Sequence, residues 1–257
     1  MPGGRNQEGR CQPMTDAVGD PGELLVRVWR GAEEGAFASY RVPARPNQTV
    51  LDVVTEVQRH HAPDLAYRFA CRVGVCGSCA MTVNGVPRWT CRTHVRRVAA
   101  EGTLTVEPLR SLPRIRDLAV DMAPFFEKWQ AAGAAFEPSA TRADAPARVD
   151  PAAPERRAAD AGIECINCAV CHAACDVVAW DTGYLGPAPL LRAWTLVNDT
   201  RHAGRAATLE RAMERGGCAS CHTQGSCMRH CPVGLSPTEG IAGLKRLSLA
   251  AMFLGGG

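Results

Sequence analysis

Thirteen cysteines stand in 257 residues, and twelve of them fall into three tight groups. Cys71, Cys76, Cys79 and Cys91 are spaced C-x4-C-x2-C-x11-C. Cys165, Cys168, Cys171 and Cys175 are spaced C-x2-C-x2-C-x3-C. Cys218, Cys221, Cys227 and Cys231 close the series, with Pro232 after the last. Clustered thiolates are ligands for soft metals. The first spacing is that of a plant-type [2Fe–2S] site and the second that of a bacterial [4Fe–4S] run. A zinc site would favour two close C-x2-C pairs. The four-residue gap here, with Gly74 and Gly77 free to curl the loop and leave N–H groups facing sulfur, favours iron.

In a two-cluster run the fourth cysteine serves the other cluster. By that rule Cys165, Cys168 and Cys171 take Cys231 as their fourth ligand and form a [4Fe–4S] site, while Cys175 joins Cys221 and Cys227. The cysteine that should stand three residues after Cys221 is Gln224. A site lacking that corner holds three irons, so a [3Fe–4S] cluster is expected on Cys175, Cys221 and Cys227. Cys218 forms a C-x2-C pair with Cys221 from the other side of the run. It reads as a spare buried thiol, with a fourth-ligand role, or a ligand role in place of Cys221, as the alternatives. Cys11 reads as a bystander.

These groups need scaffolds. Residues 23–30 alternate apolar and polar, and 37–42 can pair with them after the turn GAEEG. Thr49 is placed to cap a helix over 50–60, with Val50, Val53, Val54 and Val57 on one face. Residues 80–83 and 86–90 flank an Asn84-Gly85 turn, and 103–107 make a closing strand. Strands packed on one helix give an α+β domain over 21–111, after a polar, Gly-rich tail at 1–20 expected to be disordered. Over 114–132 the apolar residues suggest a helical connector. Residues 137–160, rich in Ala, Pro and charge, read as a loose linker, so 112–160 joins the halves. Helical stretches at 187–198, 203–215 and 237–250 make 161–257 a small all-α domain organised around its clusters.

Composition narrows the classes. Cysteine at about 5% of residues falls short of a disulfide framework, and no secretory signal is expected from the polar N-terminus. No stretch reaches the ~18 apolar residues of a membrane span; Leu247 to Leu254 is far too short. The formal charge is +3, but three oxidised, thiolate-bound clusters contribute roughly −6. The loaded protein is thus mildly acidic, and no nucleic-acid partner is expected. The basic run Arg92, His94, Arg96, Arg97 reads as a solvated or docking face.

The order of one plant-type site, a C-x2-C-x2-C-x3-C run and a C-x5-C-x3-C-P run resembles the iron–sulfur subunit of succinate dehydrogenase and fumarate reductase. YRFACRVGVCGSCAMTVNG, CINCAVCHAAC, YLGPAPLL and CHTQGSCMRHCPVGLSP carry the resemblance across roughly residues 23–250. It implies an N-terminal β-grasp [2Fe–2S] ferredoxin domain followed by an all-α ferredoxin-like domain holding two clusters. It implies a flavoprotein partner carrying FAD and a membrane-anchor partner carrying quinone, with the chain peripheral on the cytoplasmic side of a bacterial inner membrane. The family's quinone-site tryptophan falls on Trp180 and its histidine on His222. The proline usual after the fourth cysteine of the second run is Asp176 here, a carboxylate expected to lower the potential of the third site and alter quinone contact. Electrons would pass singly between flavin and quinone. The alternatives are a stand-alone ferredoxin-like carrier and the same module in a complex acting on a different acid.

Overall fold

The computed structural model describes residues 22–254; the expected tail at 1–20 and Cys11 lie outside them. β1 (Glu23–Gly31) and β2 (Gly35–Pro43) pair antiparallel. Leu24, Val26 and Val28 of β1 turn inward, the period of two that a one-sided sheet requires. α1 (Val50–His60) starts at Thr49, whose hydroxyl accepts from the Asp52 N–H while the Asp52 carboxylate accepts from the Thr49 N–H. Two orphan donors are thereby satisfied at once. Val50, Val53, Val54 and Val57 are fully buried, as the sequence stripe demands.

β3 (Ala80–Val83) and β4 (Val86–Trp89) join through Asn84 and Gly85. Both turn residues have positive φ, the requirement of a tight type I′ hairpin. β5 (Thr103–Glu107) runs parallel to β1 and antiparallel to β3, giving the order β2-β1-β5-β3-β4. The valines of α1 pack on Val26, Val28, Leu104 and Val106. This is a β-grasp domain.

Residues 114–132 are not one helix. β6 (Arg114–Arg116) and β7 (Ala119–Val120) form a short antiparallel clasp, and only Ala123–Ala131 is helical, as α2. The reason is Asp117, which reverses the chain at φ +51° and is buried. Its carboxylate accepts from Gly31 N–H (2.9 Å), Ala66 N–H (2.9 Å) and Arg30 Nε (3.1 Å). These bonds to distant segments tie the Asp117 carboxylate down and outcompete a continuous helix. Burial alone would raise the Asp117 pKa; the donors from Ala66, Gly31 and Arg30 outweigh it and hold the pKa below the usual carboxylate range. Asp117→Ala leaves those donors buried and unpartnered, and should cost about 3 kcal/mol in urea unfolding of the loaded protein at pH 7. Because the folded pKa is depressed, this stabilisation is complete above the unfolded value of about 4 and is lost as pH falls through the folded value. The gap between wild type and variant should therefore close only below about pH 4.

In the second half, α3 (Pro154–Ile163) occupies sequence that reads as loose linker. It packs through small residues, which carry no hydrophobic signal: Ala159 and Gly162 are buried, and a Cβ on Gly162 would stand 2.6 Å from Thr195 Oγ1. α6 (Pro187–Asn198) is the central helix, contacted by α3, α7 (Arg205–Met213) and α9 (Pro237–Leu254). Three short helices, α4 (Val170–Ala173), α5 (Asp176–Trp180) and α8 (Ser226–Arg229), follow the cysteine loops. Among the described residues no helix is long and apolar enough to cross a membrane. The halves share a core in which Ala80, Leu109, Leu112 and Phe125 meet Val170, Ala173 and Ala188.

Candidate metal centres

The first group sits on the loop between α1 and β3 and on the turn after β4. Cys79 and Cys91 are buried beside Leu51, with Tyr67 and Trp89 against them, while Cys71 and Cys76 are part-exposed. The loop curls so that its N–H groups face sulfur: Val73 and Val75 donate to Cys71 Sγ, and Cys71 donates to Cys76 Sγ, each at 3.4 Å. The Val75 and Val73 donors, with Cys76, draw the Cys71 thiol down to about 6. Burial, with Cys79 beside it, pushes Cys91 up to about 12. Buried thiols of this kind shed their protons to a metal.

Gly74, at φ +82°, lies against Trp89, where a Cβ would be 2.7 Å from the indole. Gly77, at φ +70°, takes the left-handed angle that curls the loop and has a second role besides. A Cβ there would stand 2.4 Å from the Ile166 carbonyl oxygen and 2.9 Å from Cys168 Cα. The first cysteine loop thus rests directly on the second.

In the helical domain the cysteines divide between two cavities. Cys165, Cys168, Cys171 and Cys231 line one, with an otherwise apolar wall that includes Ile166, Leu191 and Val233. Burial raises the pKa of all of the first three, Cys168 to about 12 and Cys171 well above the usual thiol value, and Cys231 adds to each shift. Leu235 N–H donates to Cys231 Sγ at 3.3 Å. Cys175, Cys221 and Cys227 line the other cavity, together with Gln224, Tyr184, Thr238 and His222. Thr223 N–H reaches Cys221 Sγ at 3.4 Å, and the Thr238 hydroxyl lies 3.3 Å from Cys227 Sγ. Cys218 does not line this cavity. It is buried on the preceding turn, its sulfur 3.7 Å from Ser248 Oγ.

The two loops repeat one backbone pattern. Cys168 is flanked by Asn167 at φ +55° and Ala169 at +59°; Gln224 is flanked by Thr223 at +60° and Gly225 at +74°. A four-residue helix follows each loop, α4 after Ala169 and α8 after Gly225. Gln224 therefore occupies the place in the third group that Cys168 occupies in the second. All three donor sets suit iron–sulfur clusters: they present thiols in apolar or N–H-lined loops.

Trp180 and His222, far apart in sequence, stand edge to face with ring centroids 6.2 Å apart, and His222 lines the cavity of the third cysteine group. Trp180 is 65% exposed. Asp176 is exposed next to Cys175, where burial and then Cys221 and Asp176 raise the thiol pKa. Tyr184 and Thr238, which line this cavity, escape a spacing argument, because a side chain brought to a site by the fold alone leaves no periodic trace. Tyr184 does sit in the YLGPAPLL segment that carried the resemblance.

A β-grasp domain whose cysteine loop abuts a helical domain with two further cysteine groups defines a two-domain iron–sulfur electron-transfer protein. Residues 25–127 match the 2Fe-2S iron-sulfur cluster binding domain and residues 164–236 the 4Fe-4S dicluster domain. The fumarate reductase iron–sulfur subunit of Mycobacterium tuberculosis is 34% identical over 216 residues, covering 81% of this chain and 84% of that one. A mitochondrial succinate dehydrogenase [ubiquinone] iron–sulfur subunit of Oryza sativa is 35% identical over 207 residues, covering 79% and 72%. A chain of the Mycobacterium smegmatis Sdh1 complex in its apo form superimposes with a TM-score of 0.79 at 27% identity, covering 88% of this chain and 95% of that one. The chain belongs to the family of iron–sulfur subunits of succinate dehydrogenase and fumarate reductase.

Proposed function

We propose that this chain relays single electrons between an FAD-bearing flavoprotein subunit and a quinone held with a membrane-anchor subunit, and that eleven of its cysteines divide four, four and three. Cys71, Cys76, Cys79 and Cys91 hold [2Fe–2S]. Cys165, Cys168, Cys171 and Cys231 hold [4Fe–4S]. Cys175, Cys221 and Cys227 hold [3Fe–4S]. When bound, the clusters supply one-electron carriers that split the pair carried by flavin and by quinol. The protein's part is ligand identity, hydrogen bonds to sulfur, burial, and the distance between loops.

The observation that carries this reading is the division of the helical-domain cysteines between two cavities, with Gln224 in the corner where a fourth thiolate would stand. Low-temperature EPR of the oxidised complex tests it. A near-isotropic three-iron signal is expected, with about nine irons per chain. Its absence, with about ten irons, would make Cys218 a ligand and overturn the division.

Partner faces follow from exposure. Val73 and Val75, both more than 60% exposed, rim the first cysteine loop and suit an apolar patch on the flavoprotein. Trp180 and Met228 are exposed on α5 and α8, beside the third group. They suit an anchor subunit that keeps the chain peripheral on the cytoplasmic side of the membrane. Trp180 and His222 would hold the quinone head group there. His222→Ala should cut quinone reduction about tenfold, the worth of one lost hydrogen bond of ~1.4 kcal/mol. Dye-linked succinate oxidation by the same complex should stay within twofold. Equal loss of both activities would remove His222 from the quinone site.

A further inference from the structure

α9 lays one face against the third cavity. Thr238, Ile241 and Lys245 recur on it at i, i+3 and i+7, the spacing of one helical stripe. Thr238 and Ile241 line the cavity with Cys175, Cys221 and Cys227, and Ile241 is fully buried. Lys245 Nζ donates to the Cys221 carbonyl at 2.7 Å, which ties the helix to the loop of that cysteine. Thr238 makes the contact with sulfur: its hydroxyl is hydrogen-bonded to Cys227 Sγ at 3.3 Å. Its place in the helix explains why this hydroxyl is available. The buried hydroxyls of Thr55, Thr195 and Ser248 each donate to the carbonyl four residues back in their own helix. Thr238 stands in the first turn of α9, immediately after Pro237, and has no helical carbonyl behind it. Chemistry decides which atom donates. A cysteine bound to metal is a thiolate with no proton to give, so the threonine O–H is the donor.

We propose that Thr238 is a positioning residue for the electron transfer: its hydroxyl donates to Cys227 Sγ and raises the reduction potential of the third cluster. The proposal rests on the assignment of Cys175, Cys221 and Cys227 to that cluster. A donor to a ligand sulfur stabilises the state carrying more negative charge, which is the reduced one. Cys221 Sγ has its own donor in the Thr223 N–H. That donor belongs to the backbone and stays whatever side chain occupies position 223. The donor to Cys227 exists only while residue 238 carries a hydroxyl. The side chain at 238 therefore sets the potential of the third site without changing its ligands.

The test is a potentiometric EPR titration of the purified complex carrying Thr238→Val, Thr238→Ser or Thr238→Ala. Thr238→Val keeps the branched shape and loses the donor. The reduction equilibrium of its three-iron signal should shift about tenfold toward the oxidised form, a fall of about 59 mV for one electron. Thr238→Ser keeps the donor and loses a methyl group, and its equilibrium should stay within twofold of wild type. A packing role predicts the reverse order, with Thr238→Ser the more disturbed. Thr238→Ala and Thr238→Ser differ by the hydroxyl alone, so this pair decides the matter if Thr238→Val does not load iron. The midpoint of Thr238→Ala should then lie below that of Thr238→Ser by the same tenfold. Equal midpoints with and without the hydroxyl, with the signal intact, overturn the proposal. A wild-type complex with no oxidised three-iron signal overturns the cluster assignment instead, and the proposal with it.

Discussion

Gly77→Ala should abolish most quinone reduction while leaving the first cysteine group able to load iron. Two costs fall on the same methyl group. Its Cβ would lie 2.4 Å from the Ile166 carbonyl oxygen, where ordinary contact begins at 3.4 Å, so about 1 Å must be found between two backbones. Neither neighbour is a flexible side chain that could swing away. The residue also sits at φ +70°, which costs an L side chain about 1 kcal/mol or more. Together with the overlap, the expected penalty is about 3 kcal/mol.

The site of that penalty decides its consequence. Gly77 touches the loop of Cys168, so the strain is relieved by parting the two cysteine loops. The hydrogen bonds that shape the first loop involve Val73, Val75, Cys71 and Cys76 and do not pass through Gly77. Iron content at the first group should thus survive, and visible spectra should show it reduced by dithionite. Succinate-driven reduction of the second and third groups, followed by freeze-quench EPR, should slow at least tenfold. Gly85 is the control. It also has positive φ, but open space surrounds its Cβ position. Gly85→Ala should lose a little stability and no electron transfer. Equal behaviour of the two variants would show that the contact at Ile166 does not govern transfer.

How far the sequence carried this molecule depends on the kind of signal each feature leaves. Strands β1 and β5 and helix α1 were legible because one face is buried and the other wet, so Val26, Val28 and the α1 valines recur at the period of their element. The cysteine groups were legible because ligand spacing is set by the geometry of a rigid inorganic core. Where packing uses small residues or a buried charge, periodicity says nothing. α3 docks through Ala159 and Gly162 and reads as linker. Asp117 breaks a helical-looking window because its carboxylate finds three donors from distant segments. The contact of Gly77 with Ile166 joins positions almost ninety residues apart, and a glycine in a cysteine loop already has a sufficient local reason to be there.

Gln224→Cys should convert the third group to four thiolates. The substitution needs no new backbone. Gln224 lies between Thr223 and Gly225, both at positive φ, as Cys168 lies between Asn167 and Ala169 in a loop that already presents a cysteine at this place. Gln224 lines the cavity with Cys175, Cys221 and Cys227, so a shorter side chain there meets the same space. Iron per chain should rise from about nine to about ten, and the oxidised three-iron EPR signal should vanish. The added thiolate brings negative charge toward the reducible core, so the midpoint of the third site should fall. Electrons would then meet a barrier at the last step before quinone. Quinone reduction should drop at least tenfold while dye-linked succinate oxidation persists. Cys218→Ser separates this from the alternative ligand. That thiol faces Ser248 outside the cavity, so its loss should leave iron content and the EPR signal of both wild type and Gln224→Cys unchanged. If instead Cys218→Ser alone removes the three-iron signal, Cys218 is one of the three ligands in place of Cys221, and the assignment of the third group is overturned.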